Sequence, residues 1–220
     1  PPAEDEGIPV RVQPAVERTL NRMLDYAGSI RAREQALIYP RVSGKIVARL
    51  KSEGHPVARG EALALVDRDE VGYDYEKSPV ESSLSGLVGR VYADLGASVT
   101  PQTPVAQVVD IDAVEVEFPV PEKYVAQVAG GQLAELTVDA WPGQAFTGKV
   151  TQISPVLDLD TRTAPVEITV PNPGRRLKPG MFARVRLILE TRPAAPTVLK
   201  EAVLGKDPDT YVFVVSNGTA

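Results

Sequence analysis

The sequence predicts an all-β protein, and three observations support this prediction. Apolar and polar residues alternate with a period of two over residues 114–118, 166–170 and 183–189, which gives each strand one face for a core and one for water. Motifs built from Gly, Pro and Asn separate these runs and indicate turns. The chain contains 17 glycines and 20 prolines among 220 residues, a composition typical of many short strands.

Charge and composition argue against several classes of protein. Lys and Arg number 24 and Asp and Glu 29, for a net charge of −5, which disfavours nucleic-acid binding. The chain has no cysteine, so disulfides, thiolate metal sites and cysteine nucleophiles are ruled out. The longest uninterrupted apolar runs, at 62–66 and 211–215, are far shorter than the roughly 20 residues of a membrane-spanning helix.

Three segments depart from the strand pattern. Residues 121–129 begin with a proline, carry apolar residues at helical spacing and end before Gly130 and Gly131, which predicts one short helix. In residues 16–27 the spacing of apolar residues, taken alone, also favours a helix. Residues 1–7 are acidic and proline-rich, and we expect them to form a disordered leader.

One unit of the chain occurs twice. Residues 42–66 and 84–108 match at an offset of 42 residues, with six identities in register and no gap. The pattern of each half predicts strands separated by glycine turns. We expect glycine to supply the left-handed backbone conformations of these turns. The structural glycines of this motif are Gly44, Gly54, Gly86 and Gly96. Neither half can bury its apolar face alone, so the two should pack as a quasi-twofold flattened barrel.

Candidate catalytic and metal-binding residues are sparse. His55 is the single histidine and lies in a predicted turn, whereas a metal site needs several convergent ligands. Asp158 and Asp160 could act as paired carboxylates, but with Arg162 nearby a salt-bridged structural loop is the preferred interpretation. No nucleophile elbow, phosphate loop or zincin motif occurs. We therefore expect no enzymatic activity, no cofactor and no metal site.

The doubled unit resembles the biotinyl/lipoyl-like fold, and the chain as a whole resembles the periplasmic adaptor subunits of tripartite efflux pumps. These adaptors are also called membrane fusion proteins of the HlyD-like family. The segments that carry the resemblance are 39–46, 53–64, 108–112, 120–122, 146–150, 160–163 and 177–183. Asp160-Thr161-Arg162-Thr163 and Leu177-Lys178-Pro179-Gly180-Met181 are most similar to the resistance-nodulation-division (RND) type. By this resemblance Arg162, Pro179 and Gly180 are structural motif residues.

The resemblance implies a nested layout in which the chain passes out through its domains and returns. The implied domains are a membrane-proximal β domain at 8–29 with 194–220, incomplete at its C-terminus; a six-stranded-type β-barrel with one short helix at 30–37 with 112–191; a split lipoyl-like domain at 38–66 with 84–110; and a crossover at 67–83. This layout replaces the helix that periodicity favours at 16–27 with strands.

The crossover is the main departure from the family. Members usually insert a long α-helical hairpin between the two lipoyl halves, whereas residues 68–83 are too few for a coiled coil. The sequence therefore predicts an adaptor without a hairpin. Candidate partner-binding residues are Glu122 and Lys123 on the short helix and Tyr73, Asp74, Tyr75, Glu76 and Lys77 in the crossover.

By resemblance, the function is to link an inner-membrane efflux transporter to an outer-membrane channel without catalysis, next to neighbouring adaptor copies. The resemblance also implies a periplasmic location, with a tether to the inner membrane through a segment or lipid preceding Pro1. The alternative is a biotinyl or lipoyl carrier protein of a multienzyme complex, with Lys77 as the attachment site. Lys77 is the only lysine of the crossover, but its neighbours are Glu76 and Ser78 and no methionine flanks it.

Overall fold

The computed structural model describes residues 11–68, 76–206 and 209–215, and strands are the main secondary structure of these residues. The strands are β1 (Val16–Ile38), β2 (Gly44–Arg49), β3 (Pro56–Val57), β4 (Ala62–Asp67), β5 (Ser78–Glu81), β6 (Gly86–Val91), β7 (Ser98–Val99), β8 (Ala106–Pro121), β9 (Leu133–Thr137), β10 (Ala145–Ile153), β11 (Thr163–Pro171), β12 (Phe182–Thr197), β13 (Leu204–Lys206) and β14 (Asp209–Tyr211). One helix, α1 (Glu122–Val125), follows β8, and a 3-10 turn occupies Lys200–Ala202. The all-β prediction is confirmed.

The duplicated unit forms a sandwich of two four-stranded layers. One layer has the order β5-β4-β2-β7, and the other is formed by β1, β8, β6 and β3 in that order. Residues related by the offset of 42 lie in opposite layers and make equivalent pairs. Lys45 pairs with Asp67 in one layer, and Leu87 pairs with Val109 in the other. The N–H of Gly54 donates to the Val88 carbonyl at 2.8 Å, and the N–H of Gly96 donates to the Ile46 carbonyl at 2.7 Å.

The core between these two layers consists of aliphatic side chains from both halves. Its buried residues are Ile38, Ile46, Val57, Leu63, Ala64, Val66, Val80, Val88, Ala93, Val99, Val105, Ala106 and Val108. Because neither half could bury these side chains alone, removing them from water stabilises the two halves only as a pair.

The repeat glycines have two different roles. Gly54 and Gly96 adopt φ angles of +81° and +83°, the left-handed conformation that the sequence led us to expect. Gly44 and Gly86 lie at the start of β2 and β6, and a Cβ atom there would collide with the carbonyl oxygens of Asp67 and Val109, respectively. Their requirement for glycine is therefore close backbone approach and not left-handed geometry, which corrects the expected reason.

A closed barrel of six strands follows the sandwich. The sheet order β1-β12-β9-β10-β11-β8 is closed by pairing of β8 with β1. Strands β8 and β11 pair without interruption from Thr163 opposite Pro121 to Pro171 opposite Ala113. The buried apolar residues of the barrel core are Ile30, Val114, Val116, Phe118, Val120, Ala134, Leu136, Phe146, Val150, Ala164, Val166, Ile168, Val170, Ala183, Val185 and Leu187. Because β1 and β8 run through both the barrel and one layer of the sandwich, they connect these two modules.

Two local expectations differ from the structure. The helix predicted over 121–129 is limited to Glu122–Val125, after which Gln127 and Val128 donate to carbonyls three residues earlier and form tight turns. Residues 16–27 belong to the long strand β1, so the helix favoured by their apolar spacing is wrong. Backbone pairing with neighbouring strands outweighs a local helical pattern there.

The chain divides into two units, one comprising Met23–Ile188 and the other Pro1–Arg22 with Leu189–Ala220. The second unit contains strand ends of β1 and β12 and the antiparallel pair β13–β14. The Thr197 hydroxyl donates to the Val16 carbonyl at 2.6 Å. None of the described residues of this unit is buried. Among the described residues, no helix is long and apolar enough to span a bilayer.

Candidate partner-binding surfaces

The short helix α1 presents the first pair of predicted partner-binding residues. Pro121 precedes it with a φ of −57°, and the Glu122 N–H donates to the Arg162 carbonyl at 3.1 Å. Both Glu122 and Lys123 are exposed. The Lys123 ammonium lies 4.8 Å from the centroid of the Tyr124 ring, a cation–π contact that leaves the ammonium in water. The helix therefore offers one negative and one positive group side by side.

The loop that holds α1 in place is organised by Asp158. Its carboxylate accepts hydrogen bonds from the N–H groups of Asp160 at 3.0 Å and Thr161 at 2.9 Å. These bonds, led by the one from the Thr161 backbone, lower the pKa of Asp158 below its ordinary value. Arg162 adopts a φ of +52°. Within the described residues no ion pair involves Arg162, so the loop is held by hydrogen bonds and the expected salt bridge is wrong.

The other two motif residues lie in the turn before β12. Gly180 has a φ of +91°, and its N–H donates to the Ile30 carbonyl at 2.9 Å. Pro179 precedes it, and the Met181 N–H donates to Lys178 at 3.2 Å. The turn thus connects β12 to β1 through backbone hydrogen bonds.

The crossover provides the second predicted surface. Strands β4 and β5 are antiparallel neighbours, with Val66 opposite Ser78, so residues 68–77 link two adjacent strands. Glu76 and Lys77 are exposed immediately before β5. Tyr73, Asp74 and Tyr75 lie outside the described residues. Glu122 and Lys123 follow the barrel strand β8, whereas Glu76 and Lys77 precede a sandwich strand, so the two pairs belong to different modules.

Asn172 is a buried polar residue that sequence reasoning missed. Its side-chain amide donates to the carbonyls of Ile111 at 2.9 Å and Leu177 at 2.8 Å, and its side-chain oxygen accepts the Leu177 N–H at 2.9 Å. Ile111 lies in β8 where this strand passes from sandwich to barrel. The motif Pro171-Asn172-Pro173-Gly174 indicates a turn, but nothing in it indicates that the asparagine is buried.

The described residues contain no group of three or more His, Cys, Asp or Glu side chains that could hold a metal ion. His55 accepts a hydrogen bond from the Ser52 N–H at its Nδ1 atom, at 3.3 Å, and therefore has a local structural partner. The surfaces described above can bind a partner through charge and shape.

Family comparison assigns both modules. Residues 34–111 match the model of the RND MFP, barrel-sandwich hybrid domain, and residues 113–191 match the CusB-like, beta-barrel domain. Together these matches cover more than two thirds of the chain. The chain belongs to the membrane fusion proteins of RND-type pumps. The first match covers the sandwich of this membrane fusion protein and the second covers its barrel.

Curated relatives match parts of the chain. The nodulation protein NolF of Rhizobium meliloti (strain 1021) is 32% identical over 103 residues, which cover 47% of this chain and 28% of NolF. The cobalt-zinc-cadmium resistance protein CzcB of Cupriavidus metallidurans is 27% identical over 139 residues, 63% of this chain and 26% of CzcB. This membrane fusion protein thus spans less than a third of the length of these two curated relatives.

Two crystal structures share the fold. ZneB from Cupriavidus metallidurans superposes with a TM-score of 0.64 and 21% identity over 76% of this chain and 98% of that chain. A MacA–MexA chimeric protein, which contains the Pseudomonas aeruginosa MexA alpha-hairpin domain, gives a TM-score of 0.71 and 15% identity over 95% of this chain and 96% of that chain.

Proposed function

We propose that this protein is a periplasmic adaptor that assembles an export conduit and performs no catalysis. The observation that carries the proposal is the succession of a barrel-sandwich domain and a CusB-like barrel domain, both matched along their sequence. A closed barrel and a sandwich that share β1 and β8 suit a protein that holds partners at a fixed spacing. An inner-membrane transporter, an outer-membrane channel and neighbouring adaptor copies are the partners we propose.

The two surfaces have different partners in this proposal. The barrel, with Glu122 and Lys123, faces the transporter together with a membrane-proximal domain at 8–29 and 194–220. The crossover, with Tyr73, Asp74, Tyr75, Glu76 and Lys77, faces the outer-membrane channel. Since β4 and β5 pair directly at Val66 and Ser78, residues 68–77 take the place of the helical hairpin of other family members. A tether that precedes Pro1 holds the adaptor at the inner membrane.

Charge reversal tests this arrangement. One variant combines Glu122→Lys with Lys123→Glu, and a second combines Asp74→Lys, Glu76→Lys and Lys77→Glu. Because like charges at an interface cost several kcal/mol whereas an exposed charge contributes little to folding, both variants should unfold at the temperature of the parent chain. We expect the first to lose cross-linking to the transporter, and the second to lose capture of the channel.

Each variant is the control for the other. If the crossover variant alone loses cross-linking to the transporter while both remain folded, the proposed orientation is reversed. If both folded variants still cross-link to the transporter and capture the channel, the assigned surfaces are wrong.

The alternative function as a biotinyl or lipoyl carrier rests on one residue, Lys77, which is exposed immediately before β5. The family matches do not favour it, because residues 34–111 match a domain of RND membrane fusion proteins and residues 113–191 match a CusB-like β-barrel domain. Intact mass after co-expression with biotinyl and lipoyl ligases distinguishes the two functions. A carrier gains one covalent adduct that Lys77→Arg removes, whereas an adaptor keeps its unmodified mass.

A further inference from the structure

An open groove lies on the barrel beside the Asp158 loop. It has a volume of about 340 Å³, and its lining includes Gly28, Phe118, Pro119, Asp158, Pro165 and Phe182. Gly28 is buried there, and a Cβ atom would come within 2.8 Å of the Glu117 carbonyl oxygen and of a Val116 methyl carbon. Phe118, another lining residue, is buried. We call this feature the Phe182 groove.

The apolar side chain of Phe182, which lines the groove, and those of two residues in the Asp158 loop are unusually exposed. Leu159 is 89% exposed, Phe182 76% and Val156 72%, which are the three highest values among the large apolar side chains of the described part of Met23–Ile188. Val156 and Leu159 belong to the same loop as the lining residue Asp158. Single exposed apolar residues are common on protein surfaces, but an exposed aromatic ring that lines a groove, with two more exposed apolar residues on the loop of a lining residue, is typical of an interaction surface.

The charge of the groove indicates which partner fits. No Lys, Arg or His lines it, whereas Glu117 and Asp158 do. Glu117 is already paired with Arg31 at 2.7 Å. Asp158 has only neutral hydrogen-bond partners among the described residues, and Arg162, although close in sequence, is not a lining residue. Asp158 is therefore a carboxylate without a cationic partner among the described residues, and it lines the same groove as the exposed Phe182.

We propose that the Phe182 groove binds a segment of a partner protein that presents an arginine flanked by apolar side chains. A guanidinium can stack on the Phe182 ring and pair with the Asp158 carboxylate, while the flanking side chains cover Leu159 and Val156. The groove is open to solvent, whereas small-molecule sites bury most of their ligand, so a protein segment suits it better. This inference goes beyond the adaptor function and holds whichever partner carries the arginine.

Peptide titration of the ¹⁵N-labelled full chain tests the proposal. The probes are acetyl-Ala-Leu-Arg-Leu-Ala-amide and the same peptide with glutamate in place of arginine. We expect the arginine peptide to shift the amide signals of residues 27–29, 161–163 and 182 in a saturable manner. Its half-saturation should lie at least about fivefold lower than that of the glutamate peptide, the ratio that one cation–π contact near 1 kcal/mol provides.

Two variants and two matched controls locate the binding. Phe182→Ser and Asp158→Asn should each weaken the arginine peptide about fivefold; asparagine keeps the side-chain oxygen that organises the loop. Leu95→Ser removes another exposed apolar side chain, 67% exposed in the sandwich, and Asp160→Asn removes the same charge from the same loop outside the groove lining. Both controls should bind as the parent does.

Several results would overturn the proposal. They are equal affinity for the two peptides, absence of saturation, shifts that map away from the groove, and equal weakening by the control variants. Benzyltrimethylammonium serves as a third probe. If it half-saturates the same signals at a lower concentration than the arginine peptide, the groove is a small-molecule site and the assignment to a protein segment is wrong.

Discussion

A single buried amide joins two parts of the polypeptide that are far apart in sequence. Asn172 makes three side-chain hydrogen bonds, to Ile111 and twice to Leu177, so its substitution leaves two carbonyls and one N–H buried without partners. We expect Asn172→Ala to lower the free energy of unfolding by about 3 kcal/mol or more, because three buried groups lose their partner and each unsatisfied group costs about 1–3 kcal/mol. Urea unfolding measures this change. Asn21→Ala, at an exposed asparagine, should change it by less than about 0.5 kcal/mol.

Removal of the buried Tyr26 hydroxyl, in contrast, is predicted to raise the free energy of unfolding. The Tyr26 ring stacks on Phe118 at 5.2 Å, and its hydroxyl is buried without a hydrogen-bond partner among the described residues. Burial, followed by the influence of Tyr124, raises the pKa of Tyr26. Tyr26→Phe keeps the stacking and removes the unsatisfied group, so we expect the free energy of unfolding to rise by up to about 1 kcal/mol. A loss above about 1 kcal/mol would show that the hydroxyl has a partner, and exposed Tyr92→Phe serves as the control.

At the scale of strands, the duplicated unit depends on glycines where two strands meet. Gly44 and Gly86 are related by the offset of 42 residues, and a Cβ atom at either would overlap a carbonyl oxygen of the paired strand. We expect Gly86→Ala and Gly44→Ala each to cost about 1–3 kcal/mol through overpacking and shifted backbone. Gly89→Ala is the control within β6, since its Cβ would meet Val109 side-chain atoms at 3.4 Å and the Gln107 carbonyl oxygen at 3.6 Å, which are ordinary van der Waals contacts. Unchanged melting temperatures for both variants would contradict this account.

Pairing between β8 and β11 predicts a dependence on pH. Desolvation, and then repulsion from Glu167, raises the pKa of Glu115 above its ordinary value of 4.5. The folded chain therefore binds this proton more readily than the unfolded chain, and the resulting stability is present at low pH and lost as pH rises through the raised pKa. We expect Glu115→Gln to raise the free energy of unfolding by about 0.2–1 kcal/mol at neutral pH and to add nothing well below pH 4.5. Urea unfolding at both pH values checks this, and a gain at low pH alone would refute it.

The strands also show which features the sequence reveals. The repeat was predictable because both halves carry the same residues at the same spacing, and symmetry then determines the pairing of Lys45 and Leu87 with their partners. The extent of β1 was not predictable from its own residues, because its conformation follows from pairing with distant strands. The Phe182 groove is likewise formed by segments that meet only in the folded barrel. The assigned partner-binding residues are still predictions.

For the whole molecule, the distribution of buried residues indicates where the stability lies. Every buried apolar residue of the described chain falls between Ile30 and Leu187, inside the unit Met23–Ile188. The described residues of 11–22 and 189–215 are exposed or partly exposed. Since removal of apolar surface from water is the main favourable term in folding, the outlying residues add little to it.

This distribution predicts that a chain of residues 23–188 folds on its own. Its cooperative thermal unfolding transition should match that of the full chain, with a free energy of unfolding within about 1 kcal/mol, because no core contact is lost. In the full chain, amide hydrogen exchange should be fast at 11–22 and 200–215 and slow in β8 and β11, where the buried strands pair without interruption. An aggregated or molten short chain, or slow exchange throughout 200–215, would show that the outlying residues contribute to the stability of the core.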